Sequence, residues 1–201
     1  KMIFGTLNSF LAVGSGMIIG ILIGKLTEVY TSADYKSVKK IADQSQTGAG
    51  TNIISGMAVG MKSTMGTILL IALEILIAYF VMGGSNNSSM GLYGIALSAV
   101  GMLSITGLIV AVDAYGPIAD NAGGIAQMSN LPEEVREITD KLDSVGNTTA
   151  AKGKGFAIGS AALTSLALFA SFAEASGLIE INILNPVTLV GVLVGVMLPF
   201  L

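Results

Sequence analysis

Asp113, Asp120 and Asn121 lie in "DAYGPIADNAGG", residues 113–124, directly after the apolar run "GLYGIALSAVGMLSITGLIVAV". The two acids are seven residues apart. On a helix they share a face, about 20° apart in direction and about 10 Å apart along the axis. Asp140, Asn147 and Lys154 repeat the same step further along the chain. Two such helices side by side would present a ladder of oxygens and one ammonium to a shared cleft. Spacing alone leaves two readings open for the acids, plain solvation at a helix end or function. Two features favour function. Asp113 follows uninterrupted apolar sequence, near the depth where an ionisable group is costly, and Gly116, Pro117, Gly123 and Gly124 let backbone or ligand come close.

The chain has no cysteine and no histidine, which excludes disulfides, zinc sites built on those residues, and Ser-His-Asp catalysis. Asp, Glu, Asn, Lys and backbone remain, an inventory suited to hard cations such as Mg²⁺ and to phosphate chemistry. A net charge of -3 leaves no nucleic-acid footprint. "GNTTAAKGKGF", residues 146–156, approaches a phosphate loop, but six residues separate Gly146 from Gly153 and Gly155 stands where Ser or Thr is required. Lys154 is then either a point charge for a phosphate or a lysine snorkelling at a membrane border.

The elements that must position these residues are helices in a bilayer. Of 201 residues 52% are hydrophobic and only 11% charged, so the chain reads as an all-α membrane protein. Twenty-six glycines with 6% aromatics and no tryptophan suit helices that approach closely through small residues. Residues 1–201 form a single transmembrane region of about five helices, with spans near 7–24, 53–83, 91–113, 155–173 and 187–201. The last ends inside an apolar run, so the chain reads as an internal piece of a longer protein. Lys25, Lys36, Lys39, Lys40, Arg136, Lys141, Lys152 and Lys154 fall in two alternate connections, 25–50 and 129–154. The positive-inside rule assigns those loops, and the segment after Asp113, to the cytoplasm. "LPEEVREITDKLDSV" has an amphipathic helical pattern with Pro132 in its first turn, and nothing strongly breaks it before the fourth span.

Gly16, Gly20 and Gly24, and Gly191 and Gly195, form small-residue stripes expected to pack helices within one chain. Lys62 is expected to snorkel towards the cytoplasm. Glu74, deep in the second span, reads as an ion ligand or, preferably, as a protonated acid packed against a neighbour. Glu174 and Glu180 are expected to be solvated on the outside.

"VAVDAYGPIADNAGGIAQMS" followed by "LDSVGNTTAAKGKGFAIGSAALTSLALF" closely resembles the membrane-integral, ion-translocating pyrophosphatases. The resemblance runs through the chain in order, including "TEVYTS", "GLYGIALSAVGML" and "MLPFL". It implies a homodimer of larger many-helix bundles that binds magnesium pyrophosphate on the cytoplasmic side and couples its hydrolysis to pumping H⁺ or Na⁺. By this resemblance Asp120, Asn147 and Lys154 are catalytic and contact substrate or Mg²⁺-substrate. Asp120 is the first candidate Mg²⁺ ligand, Asp113 an acid nearer the membrane and a weaker metal candidate, and Asn121 lies beside the site. Asp140 is a metal candidate from spacing alone.

Ala150 and Gly153 match the pattern of the K⁺-stimulated branch, where the alternative branch carries a lysine after "GNTT". A tethered ammonium at that point would replace a free cation, so its absence leaves room for K⁺. Gln127 departs from the family's usual Glu and argues against a metal role there. The resemblance also implies that most remaining Mg²⁺ ligands, the water-activating acids and the ion gate lie outside this chain, so the piece alone is expected to be inactive. The competing reading is a cation-coupled secondary transporter or channel, with Asp113 and Asp120 lining an ion path. Asn147 and Lys154 on a second acid-bearing helix suit a phosphate better.

Overall fold

The computed structural model describes residues 7–178 and 181–201, so Glu180 lies outside the described residues. Its elements are α1 (Leu7–Thr31), α2 (Lys36–Gln44), α3 (Ala49–Val81), α4 (Ser88–Leu103), α5 (Thr106–Met128), α6 (Glu133–Ala175) and α7 (Pro186–Met197). No strand occurs among the described residues. The all-α membrane architecture is the one the composition requires.

Four helical stretches are long and apolar enough to cross a bilayer, and the apolar stretch Pro186–Phe200 is shorter. A hydrocarbon core about 30 Å thick needs about 20 helical residues. With 33 and 43 residues, α3 and α6 exceed that and extend beyond it. The amphipathic segment after Pro132 and the fourth apolar span form one unbroken helix.

The third apolar stretch differs from expectation because it is broken at Ser104 and Ile105, inside the expected 91–113 span. The Ser104 backbone N–H and Oγ both donate to the Gly101 carbonyl, at 3.2 and 2.7 Å. The backbone closes there in a tighter three-residue turn, and α5 sets off as a separate helix that packs on α6. At the other end of α4 the chain reverses through Gly83, whose φ of 81° suits glycine, while the Gly84 N–H closes on the Tyr79 carbonyl at 2.9 Å.

The core lies among α1, α3, α4 and α6, around Ile23, Ile95, Met102, Phe156 and Leu163. Glycine sets the helix separations. A Cβ on Gly16 would collide with the Ser98 carbonyl, and one on Gly101 with the Val13 carbonyl, so the backbones of α1 and α4 touch. Gly159 on α6 faces Ile23 and Met102, whose side chains would stand only 3.2 Å from a Cβ placed there. Gly16 and Gly20 therefore do pack within the chain, whereas Gly24, Gly191 and Gly195 have open space beside them. Lys62 and Glu174 are exposed. Glu74 is completely buried, its Oε1 accepting from Ser15 Oγ at 2.8 Å, and it makes no ion pair among the described residues.

The Gly16 contact has a direct test. Gly16→Val puts two methyl groups against immovable backbone, so thermal unfolding of the full-length protein in detergent should show a loss of about 1–3 kcal/mol or more. An unchanged transition would mean that α1 and α4 are not in backbone contact.

Candidate functional site

The residues with chemistry sit on α5 and α6, whose register is fixed by three contacts. Gly116 meets Gly146, Gly123 meets Thr139, and Ile109 meets Gly153. Each seven-residue step up α5 is a seven-residue step down α6, so the helices are antiparallel. At the crossing a Cβ on Gly146 would come within 2.5 Å of the Gly116 Cα. The small buried positions Gly116, Ala119, Gly123 and Ala126 form the α5 face that allows this approach.

Helical geometry then places the polar residues. Measured from the Gly116–Gly146 line, Asp113 and Asp120 on α5 and Asp143, Asn147 and Lys154 on α6 lie about 40–100° round in the same rotational sense. Because the helices are antiparallel, the same sense is the same side of their groove. One open flank therefore carries all five. Asp120 comes level with Asp143, Asn147 is about 8 Å further along, and Asp113 about 10 Å from Asp120. Lys154 lies about 18 Å from the level of Asp120, at the far end of the ladder. The structure thus aligns the expected residues along one groove but does not gather Asp120 and Lys154 at one point.

Several partners are already taken. Asn147 Nδ2 donates to Asp143 Oδ2 at 3.0 Å, leaving its Oδ1 as an acceptor. Asp140 Oδ1 accepts from Arg136 Nε at 2.7 Å, and Arg136 NH1 donates to the Gly123 carbonyl and to Gln127 Oε1, both at 2.9 Å. Asp140 and Gln127 thus belong to an arginine clamp at the loop end of the pair. Asn121 points away from α6 and donates from Nδ2 to the Pro117 carbonyl at 2.7 Å. On the opposite flank Tyr115 OH donates to the Leu142 carbonyl at 2.9 Å.

The two neighbouring lysines have different fates. Lys152 pairs with Glu28 Oε2 of α1 at 2.8 Å, whereas Lys154, about 200° round the helix, is exposed and makes no ion pair among the described residues. Lys154 is the cation left available to an anion. Asp143, Arg136 and Glu28 were not singled out by sequence reasoning. The i, i+4 spacing of Asp143 with Asn147, and of Arg136 with Asp140, was the local signal. Nothing local signalled that Glu28 meets Lys152.

No group of three or more acids able to hold a metal ion occurs among the described residues. Mg²⁺ does not require one, because it is often held by one or two carboxylates together with phosphate oxygens and water. Asp120 and the level Asp143 fit that donor set. Asp113, about 10 Å away along the axis, cannot share an ion with Asp120. At Gly153 the two helices are in ordinary contact, since a Cβ there would stand 3.5 Å from Ile109 Cγ2.

Comparison with known proteins places this arrangement in a family. The family model described as inorganic H⁺ pyrophosphatase matches residues 2–201. A chain of Clostridium tetani, provisionally named a K(+)-stimulated pyrophosphate-energized sodium pump, is 69% identical over 99% of this chain and 30% of its own length. A K(+)-insensitive pyrophosphate-energized proton pump of Methanosarcina mazei is 52% identical over the same shares. A Bacteroides thetaiotaomicron chain with the same provisional name as the clostridial one is 54% identical over 81% of this chain and 22% of its own. This chain therefore spans less than a third of the length of these relatives.

The register is testable by cross-linking. In a full-length protein without other cysteines, Gly123→Cys with Thr139→Cys should oxidise readily, because only side chains on facing positions come within disulfide reach. Asp120→Cys with Lys154→Cys should stay reduced. The reverse pattern would overturn the antiparallel register and the ladder built on it.

Proposed function

The chain belongs to the inorganic H⁺ pyrophosphatase family, and from that premise we propose that the full-length protein hydrolyses magnesium pyrophosphate to phosphate and couples this to pumping H⁺ or Na⁺ across a membrane. The names of the relatives support the reading. Within the chain, the observation that carries it is the Gly116–Gly146 contact, which aligns Asp120, Asp143, Asn147, Asp113 and Lys154 on one flank of α5 and α6.

In this proposal Asp120 is an anchor for a Mg²⁺-phosphate unit, and Mg²⁺ neutralises phosphate charge and polarises the bond that breaks. Asn147, held by Asp143, turns an amide oxygen towards substrate or an ordered water. Lys154 supplies a cation to the membrane-side end of the substrate or to released phosphate. Asp113 serves as an acid between these two. Asn121 and Asp140, with amide and carboxylate engaged elsewhere, support the site at its edge. The water-activating acids and the ion gate belong to parts of the protein outside this chain. The lysine-rich connections put this site on the cytoplasmic side, and the functional unit is a homodimer.

We place the protein in the K⁺-stimulated branch. With alanine at 150 and glycine at 153 the chain carries no tethered ammonium at that point, so a free K⁺ supplies the charge. Two of the three relatives described above carry that designation in their provisional names.

The test is phosphate release from magnesium pyrophosphate by membranes containing the full-length protein, with and without K⁺. Asp120→Asn should lower release about 100-fold or more, the scale seen when one preorganised charge-stabilising group is removed. Ala150→Lys should keep activity and abolish the response to K⁺. No release from the folded wild-type protein would overturn the proposal, and K⁺-indifferent release would overturn only the branch assignment.

A further inference from the structure

A second polar site lies away from the α5–α6 groove, where the end of α1, α2 and the first turns of α3 border an open cavity of about 530 Å³. Lys36 and Lys40, one turn apart on α2, face Lys62 of α3 across it, with Tyr30, Ser37 and Ser55 between them. No acid lines it, and none of the three lysines makes an ion pair among the described residues. Three unneutralised ammoniums in one concavity repel one another unless an anion joins them.

The surroundings identify the anion. Twenty residues counted back from Val81, the last residue of α3, reach Lys62, so a hydrocarbon layer about 30 Å thick ends at that lysine. Lys62 therefore sits at headgroup depth. On the same face of α3, at three- and four-residue steps below it, come Met65, Leu69, Leu73, Leu76 and Phe80, each between 48% and 64% exposed. The cavity residues Ser55 and Ala58 continue that face above. A basic, hydroxyl-lined cavity thus continues into an apolar track along α3 that no other described element of this chain covers. A free phosphate would use the first part only. A phospholipid uses both, its phosphate among the lysines and an acyl chain along the track.

We propose that this cavity binds the headgroup of an anionic phospholipid, with one acyl chain laid along the exposed face of α3. Basic pockets between helices at a membrane surface take such headgroups by charge attraction, and the lysine stems add apolar contact. Occupation would tie the short helix α2 to α3 and the bilayer surface.

Native mass spectrometry of the full-length protein in detergent tests this, with dioleoyl phosphatidylglycerol and dioleoyl phosphatidylcholine offered in equal amounts. The wild-type protein should retain the anionic lipid in preference by at least about tenfold. Lys36→Gln, Lys40→Gln and Lys62→Gln together should remove the preference, while Lys39→Gln, on α2 but outside the cavity, should keep it. Should the triple variant fail to fold, Lys62→Gln should weaken retention severalfold and Lys62→Arg should preserve it. Millimolar inorganic phosphate should not displace the lipid. Equal retention of the two lipids, displacement by phosphate, or an equal loss with Lys39→Gln would each overturn the proposal, the second pointing to a free-phosphate site and the third to diffuse charge attraction.

Discussion

The contact between Gly116 and Gly146 is the constraint on which the candidate site depends. Two helices whose backbones touch cannot slide or rotate freely, because the next side chain in either direction meets backbone rather than space. Fixing one point and the antiparallel sense fixes the level and direction of every other residue on both helices. Asp120 and Asp143 become neighbours across a groove by this route, with no direct bond between them. Five polar residues on one flank are then a consequence of helical periodicity rather than of five separate packing solutions.

Helix α6 carries that arrangement into the rest of the bundle. One part of its surface meets α5, another meets α1, α3 and α4 through Phe156, Gly159 and Leu163. The Glu28–Lys152 pair adds a charge-assisted link from α1 at the start of the packed region. With side chains about a quarter exposed, that pair orients more than it stabilises. Its chief consequence is to occupy Lys152, while Lys154 makes no ion pair among the described residues. The groove is thus held at one edge by packed core and left uncovered at the other, as suits a chain that spans under a third of the length of its relatives.

Close approach through small residues recurs because lipid supplies no hydrophobic force between helices. Gly16 against Ser98 and Gly101 against Val13 hold α1 to α4 as Gly116 and Gly146 hold α5 to α6. Where glycines meet nothing, as at Gly191 and Gly195 of the exposed α7, the same residue type makes no contact within this chain. Glu74 shows the other side of a low-dielectric interior. Its carboxyl is fully buried and accepts from the Ser15 hydroxyl of α1 on Oε1, so a polar group in this interior is held by a neighbouring helix.

The sequence by itself determined the class of the protein and the inventory of its site. Composition required helices in a bilayer, apolar runs marked where they would lie, and "DAYGPIADNAGG" with "GNTTAAKGKG" carried the family resemblance. These features are local, and periodicity or residue type reads them directly. Tertiary structure decided which local possibilities are used. The break at Ser104, inside one continuous apolar run, is a single tighter turn closed on the Gly101 carbonyl, which hydropathy does not register. Asp140 and Asn121 share the spacing or neighbourhood of site residues, yet Arg136 and Pro117 engage them. Asp143 gained its place beside Asp120 only when two glycines distant in sequence set the register of two helices. Contacts between residues far apart in the chain depend on the whole fold, and no window of sequence contains them.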